Sequence, residues 1–547
     1  MPAYRYGLLI KHILEHVLVR APDKEIVYRD KVRYTYKGFY ERVCKLASVL
    51  EEIGVKKGSK IGILDWDTHN YLEAYYAIPM MGAIMHTINL RLPPELILYT
   101  IRHAGDDFLM VRDEFLPLIE RVKDKLVGVK GFIVASESKQ VPETPLEPVY
   151  NLEEMMDKAS PSYEFPDLPE DTDATIFYTT GTTGMPKGVI FTHRQIVLHT
   201  FAIALSLSGF YPSPVTITSR DVLMPLVPFF HVHSWGLPYA ATLGGCKMVL
   251  LGRYDPGLAL EMIAKEGVTF SHMVPSILHM IVNHPRVHEY RDALSRWKVV
   301  IGGAALPRGL AEQAMRLGIK VMAGYGLSET CPVLTLSVLK DYMAEWPDEK
   351  KLDVLIKTGI PAPLVKLRVV DNQMRDVPRD GKHMGEIVVR APWCTREYYN
   401  DPERTEELWA GGWMHTGDVA VWDEEGYIQI TGRAKFVIKS GGEWIPPLIL
   451  ENLLSLHPAV SEVAVVGVPS DKWGERPIAI VATKPEYRGK VTEEELRKHL
   501  EKAVEEGKIL KWWIPEKFIF VEQIPKTTVG KIDRLKLMEE YKKIKLP

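Results

Sequence analysis

The sequence predicts an α/β protein. It has a large N-terminal part of two helix-covered sheets plus a small β-barrel subdomain, and ends in a small α+β unit. Three observations predict this. Extended apolar runs alternate with amphipathic helical stretches from about Val27 to Val111 and again from Ala174 to about Val333, as in parallel sheets covered by helices. Between Ile360 and Ile430 the pattern changes to short alternating strands separated by Gly- and Asp-rich turns. After Arg433 a compact mixture of strands and helices begins.

The elements follow in order. A strand is expected over residues 32–36 and a helix over 37–53, with Phe39, Val43, Leu46, Ala47 and Leu50 on one face and Gly54 ending it. An apolar run over 61–64, a helix near 71–81, a run over 83–86 and a helix over 94–104 complete the first alternation. The uncharged stretch 195–210 falls short of the ~20 apolar residues of a bilayer span and is expected to be a buried core helix. Strands over 366–370 and 386–390 belong to the small barrel or a distorted sheet, and Asp-Glu-Glu-Gly between 419–422 and 427–431 predicts a hairpin. Strands near 462–468 and 478–483 precede a helix opened by the Thr492–Glu495 capping box and closed by Gly507. The domain boundary is placed to give units of 1–434 and 435–547.

Composition narrows the function. An apolar fraction of 46% with 25% charged residues over 547 positions excludes a predominantly disordered chain. The 68 basic and 71 acidic residues nearly cancel, so the basic excess of a nucleic-acid binder is absent. The first twenty residues mix charges with apolar residues and make a poor secretory signal. Cys44, Cys246, Cys331 and Cys394 are far apart, without metal or disulfide spacing, which fits a reducing cytoplasm.

The strongest chemical signal is the run 178–189, Tyr-Thr-Thr-Gly-Thr-Thr-Gly-Met-Pro-Lys-Gly-Val. The glycines Gly181 and Gly184 let backbone N–H groups approach phosphate oxygens. Thr179, Thr180, Thr182 and Thr183 add hydroxyls, and Lys187 adds a mobile positive charge. It is not a Walker loop, because Pro186 stands where that motif requires glycine, and this disfavours a kinase or motor ATPase.

With this run, the sequence resembles the adenylate-forming superfamily of acyl-CoA synthetases, luciferases and peptide-synthetase adenylation domains. Five further motifs stand in the family's order: Gly-Gly-Ala-Ala-Leu-Pro over 302–307, Tyr-Gly-Leu-Ser-Glu-Thr over 325–330, Thr-Gly-Asp over 416–418, Gly-Arg-Ala-Lys over 432–435, and Pro-Lys-Thr-Thr-Val-Gly-Lys over 525–531. The resemblance implies that Tyr325, Gly326, Gly302, Gly303 and Ala304 face the adenine of ATP. It implies that Ser328 meets a phosphate, Asp418 clamps the ribose hydroxyls and Arg433 contacts ribose or phosphate. Glu329, with Thr180, would hold Mg²⁺ as a hard oxygen ligand. Lys531 would stabilise charge at the α-phosphate. Lys435 stands at the family's hinge, about which the small domain rotates.

The run 227–242, with His231 and Trp235, looks like bacterial long-chain fatty acyl-CoA synthetases. The resemblance places His231 near the reacting carboxylate and Trp235 on the acyl tunnel. Gly326 stands where acetyl-CoA synthetases carry a pocket-closing tryptophan, and this predicts room for a longer chain. Ser440, Gly441, Gly442 and Trp444 resemble the lining of the CoA channel, although Pro446-Pro447 and Phe436 depart from the family pattern. The implied activity is an AMP-forming acid–CoA ligase for a medium- to long-chain acid, with Mg²⁺, ATP and coenzyme A, and with a homodimer as the assembly. The alternatives are a ligase for a short hydroxy- or thioether acid and a non-catalytic nucleotide- or acyl-binding relative.

Overall fold

The computed structural model describes residues 6–179, 185–433, 435–441, 443–527, 531–544 and 546. Apolar β-branched runs form the middles of four sheets. The first has nine strands, and six of them are mutually parallel: Glu25–Tyr28, Lys247–Leu250, Val222–Pro225, Phe270–Met273, Lys298–Ile301 and Lys320–Gly326. Antiparallel strands cap both its edges. The second has seven strands, parallel from Val149–Asn151 across to Asp173–Thr179, with Lys187–Thr192 added antiparallel at one edge.

Helix ends follow local chemistry. Pro94–Ala104 starts at a proline and ends at Gly105 in the left-handed region, while Thr35, Thr68 and Thr192 cap their helices with side-chain oxygens. The Thr492–Glu495 capping box forms as expected and opens Glu493–Glu505. The helix His193–Ser206, expected to be buried throughout, is buried on one face only: Phe201 and Leu205 are exposed, because it packs on one side against Leu237–Gly244. Among the described residues, no helix is long and apolar enough to cross a membrane.

The third sheet is antiparallel: Lys366–Val370, Met384–Arg390, Met414–Trp422 and Ile428–Arg433. Its two outer strands do not pair, so the expected barrel is an open sheet, distorted by register shifts at Glu386/Val388 and Val419/Ala420. The expected hairpin closes through Gly426, whose φ of 84° suits glycine.

The large apolar core runs no further than Ile430, and two separate clusters follow, one beginning at Ile438 and the other at Ala464. The latter lie on both faces of a five-stranded sheet that includes Val460–Ser470 and Gly474–Thr483. The helix Pro447–Ser455 docks this unit on Arg308–Arg316 so closely that a Cβ on Gly309 would lie 2.4 Å from Ser455 O. His279 Nε2 and Ser461 Oγ are hydrogen-bonded at 3.1 Å across the same junction.

Candidate active site

Parallel sheets place ligands beyond the carboxyl ends of their strands. Here Lys298–Ile301 ends at Gly302, Lys320–Gly326 ends in Tyr325-Gly326, and Val222–Pro225 leads to His231. These ends open on a cavity of about 1000 Å³, closed on its other side by Lys526, Lys531 and Arg534 of the C-terminal unit.

Thr179, Lys187, His231, Gly303, Ala304, Tyr325, Gly326, Ser328, Glu329, Asp418, Arg433 and Lys531 all line this one cavity. Thr180, Gly181, Thr182, Thr183, Gly184 and Gly442 lie outside the described residues. Asp418 and Arg433 sit opposite each other on adjacent strands, with Arg433 Nε donating to Asp418 Oδ1 at 2.9 Å. The Tyr325 hydroxyl donates to Asp418 Oδ2 at 2.8 Å. One carboxylate thus ties the aromatic ring to the guanidinium.

Thr527 N–H donates to Lys531 O at 2.7 Å, and the Lys531 stem runs beside Gly303, where a Cβ would lie 3.4 Å from Lys531 Cε. Burial lowers its pKa and Arg433 adds to this, while Asp418 and Glu329 pull it back up. Burial, with the charges of Lys531 and Arg91, holds His231 neutral with a pKa of about 3.

Tyr398, which sequence reasoning missed, joins two expected residues. Its hydroxyl donates to Glu329 Oε1 at 2.7 Å, and Lys187 Nζ lies 4.4 Å from its ring centroid. Its tie to the loop strand is a bridge between Val189 and Tyr398, which pattern reading cannot see.

Other placements differ from expectation. Trp235 is buried but is not on the cavity wall; its indole backs Gly302, where a Cβ would lie 3.0 Å from Trp235 Cη2. The residues carrying it, Val232, His233, Ser234 and Trp235, have φ of 50°, 54°, 48° and 55°, followed by Gly236 at 72°. The left-handed helical region costs a non-glycine residue roughly 1–2 kcal/mol.

Gly326 lines the cavity, yet a Cβ on it would lie 1.7 Å from Pro332 O. Close backbone approach requires this glycine, so its absence of a side chain does not by itself measure acyl-pocket depth. Gly326→Ala is expected to cost about 1–3 kcal/mol of stability as an overpacked site. It should also lower activity on short and long acids alike, which a melting curve and a two-acid assay check.

Ser440 and Gly441 lie off the cavity on the hairpin that continues into Glu443–Ile445. Arg476 donates to Ser440 Oγ at 3.2 Å, and Gly441 N–H donates to Trp473 O at 2.8 Å. The Trp444 side chain lies outside the described residues. Lys435 is exposed just after Arg433, with Nζ 5.0 Å from the Phe436 ring centroid. All four cysteines are buried thiols, and burial raises the pKa of each, which removes them as nucleophiles.

Residues 14–399 match the model of the AMP-binding enzyme family, and residues 450–531 match that of the AMP-binding enzyme C-terminal domain. The chain belongs to the AMP-binding enzyme family. A long-chain-fatty-acid–CoA ligase of Thermus thermophilus is 42% identical, over 97% of this chain and 95% of its own length. A 3-methylmercaptopropionyl-CoA ligase of Ruegeria lacuscaerulensis is 35% identical, over 98% and 97%. The fold matches the crystal structure of an anthranilate CoA ligase in complex with anthranoyl-AMP, with a TM-score of 0.85 at 23% identity over 99% of this chain and 98% of that one.

Glu329 offers one hard oxygen donor set with Ser328 beside it, and the described residues contain no cluster of three metal-ligating side chains. This suits Mg²⁺ held mainly by phosphates and water, with a single carboxylate.

Proposed function

We propose that the protein is an AMP-forming acid–CoA ligase that joins a medium- to long-chain fatty acid to coenzyme A through an acyl-adenylate. The observation that carries the reading is the meeting of Lys531 with Tyr325, Asp418, Arg433 and Glu329 around one cavity. In this reading Tyr325 stacks the adenine, and Asp418, oriented by Arg433, accepts from the ribose hydroxyls. Neutral His231 borders the carboxylate without repelling Lys531. Lys531 approaches the α-phosphate as negative charge accumulates there and the acid oxygen displaces pyrophosphate. Mg²⁺, when bound with ATP, would neutralise triphosphate charge, and Glu329 and Thr180 are the residues proposed to hold it.

The units meet at Lys435, and rotation there would exchange the Lys531 face for the hairpin carrying Ser440, Gly441 and Trp444. The thiol of coenzyme A then attacks the acyl carbonyl and releases AMP. The activity of the Thermus relative supports the fatty acid assignment. The activity of the Ruegeria relative gives a second reading, a short thioether acid. The same proposal puts the protein in the cytoplasm as a homodimer. Exposed Val19 and Phe201, on helices packed together, offer a second copy apolar surface to cover.

The test is pyrophosphate and AMP release over acids from acetate to palmitate and over short thioether acids, with and without coenzyme A. A CoA-dependent maximum at medium or long chains supports the first reading, and a maximum at short thioether acids supports the second. Nucleotide binding without turnover would refute both. Asp418→Asn is expected to raise the KM for ATP about tenfold or more by weakening the ribose contacts, with a smaller change in the KM for the acid.

A further inference from the structure

We propose that Thr175, His233, Ser234 and His272 form a two-sided clamp that sets the pose of Trp235, making them positioning residues for acyl-chain selection. The inference deepens the ligase reading and rests on it for its substrate class.

The run 232–235 places four consecutive non-glycine residues at positive φ, with every side chain buried. Such a turn persists only where surrounding contacts over-determine it. Two side-chain contacts do so, one to each large sheet. Thr175, on Asp173–Thr179 of the seven-stranded sheet, shares a hydrogen bond of 2.6 Å with His233 Nε2. Ser234 Oγ donates to Val227 O at 2.6 Å and lies 2.9 Å from Nε2 of His272, on Phe270–Met273 of the nine-stranded sheet. The hydroxyl has one proton and gives it to Val227, so His272 must donate from Nε2. The clamp therefore fixes a tautomer as well as a distance.

Beyond the clamp, the turn is wedged at Gly236, where a Cβ would lie 2.8 Å from the His199 ring. The His233 ring packs edge-on to Phe177 at 5.4 Å and Tyr75 at 6.2 Å, which prevents it from swinging away from Thr175. Trp235 is the last non-glycine residue of the turn. Its indole lies behind Gly302 and Gly303 and 5.5 Å from the His272 ring. His231, which lines the cavity, immediately precedes the turn. A change in the turn thus moves the aromatic plug and, through the chain, His231 at the end of the cavity proposed to hold the acid, while the nucleotide residues Tyr325, Asp418 and Arg433 stand on other strands.

The experiment uses Thr175→Val and Ser234→Ala, which remove one side of the clamp each with little change in volume, and Thr175→Ser, which keeps the hydroxyl. The kcat/KM for butyrate and for palmitate is measured beside the KM for ATP. In parallel, the protein is labelled with 5-fluorotryptophan and the ¹⁹F resonance of Trp235 is assigned through Trp235→Phe. The expected result is a change of about tenfold or more in the palmitate-to-butyrate ratio in Thr175→Val and Ser234→Ala. The KM for ATP should stay within about twofold, the Trp235 resonance should shift or broaden, and Thr175→Ser should restore the wild-type ratio. An unchanged ratio with an unmoved Trp235 resonance overturns the clamp, even if kcat falls. If the wild type turns over neither acid, the fatty-acid reading has failed, and the ¹⁹F resonance alone decides the clamp. If Ser234→Ala does not fold, Thr175→Val tests the other side.

Discussion

Lys531→Ala is expected to slow acyl-adenylate formation by about 10²–10³-fold while leaving thioester formation from a supplied acyl-adenylate within a few-fold of wild type. Lys531 is half-buried on the cavity wall beside Gly303, and Asp418 and Glu329 hold its charge there. The loss therefore falls on the step in which negative charge builds at phosphorus. Lys531→Arg should not rescue the step, because a planar guanidinium spreads its charge over a rigid fork where lysine brings a compact ammonium to one oxygen. Pyrophosphate exchange measures the first half-reaction, and thioester formation from synthetic acyl-adenylate measures the second. Equal losses in both halves would show that Lys531 acts in general structure and not in adenylation.

The second large effect is acid destabilisation. Burial depresses the pKa of His69, His199, His231, His233 and His272 to about 3, and of His193 to about 4. In the unfolded chain these groups titrate near 6.5. Below that pH the unfolded state binds protons that the folded state refuses, so stability is complete above about 6.5 and is lost as pH falls toward the folded values. Asp65 and Asp67, raised to about 7 by burial, act in the opposite direction, as do Glu73, Asp106 and Asp173, while the ion-paired Glu137, Glu153, Asp221 and Glu266, whose pKa values are lowered, add to the loss at low pH. Urea midpoints at pH 7, 5.5 and 4.5 should fall steadily, and a midpoint unchanged at 4.5 would contradict the account.

Much of the fold was legible because it rests on local signals. Pro94–Ala104 lies between a proline start and a glycine stop, and Thr492 with Glu495 announces a helix with no tertiary help. The open third sheet was not legible, because the pairing of Lys366–Val370 with Ile428–Arg433 that a barrel needs is a long-range event with no local signature. The cavity-lining residues could be named from motifs, since chemistry at fixed spacing survives without coordinates. Three features could not. The oxygen facing Gly326 belongs to Pro332, across a backbone bend. Tyr398 reaches Glu329 from a segment far along the chain. The left-handed turn before Gly236 uses Val, His, Ser and Trp, residue types that announce the opposite handedness.

The parallel arrangement of the nine-stranded sheet gives the molecule a working rim and a spare rim. The first holds the carboxyl ends at Gly302, Tyr325 and His231; the second holds the amino ends at Lys247, Phe270 and Lys298. Gly267, between Pro256–Glu266 and Phe270–Met273, lies on the spare rim with open space around the position its Cβ would take. An affinity tag, a reporter or a new pair of chain termini belongs there, on the side of the sheet opposite the cavity.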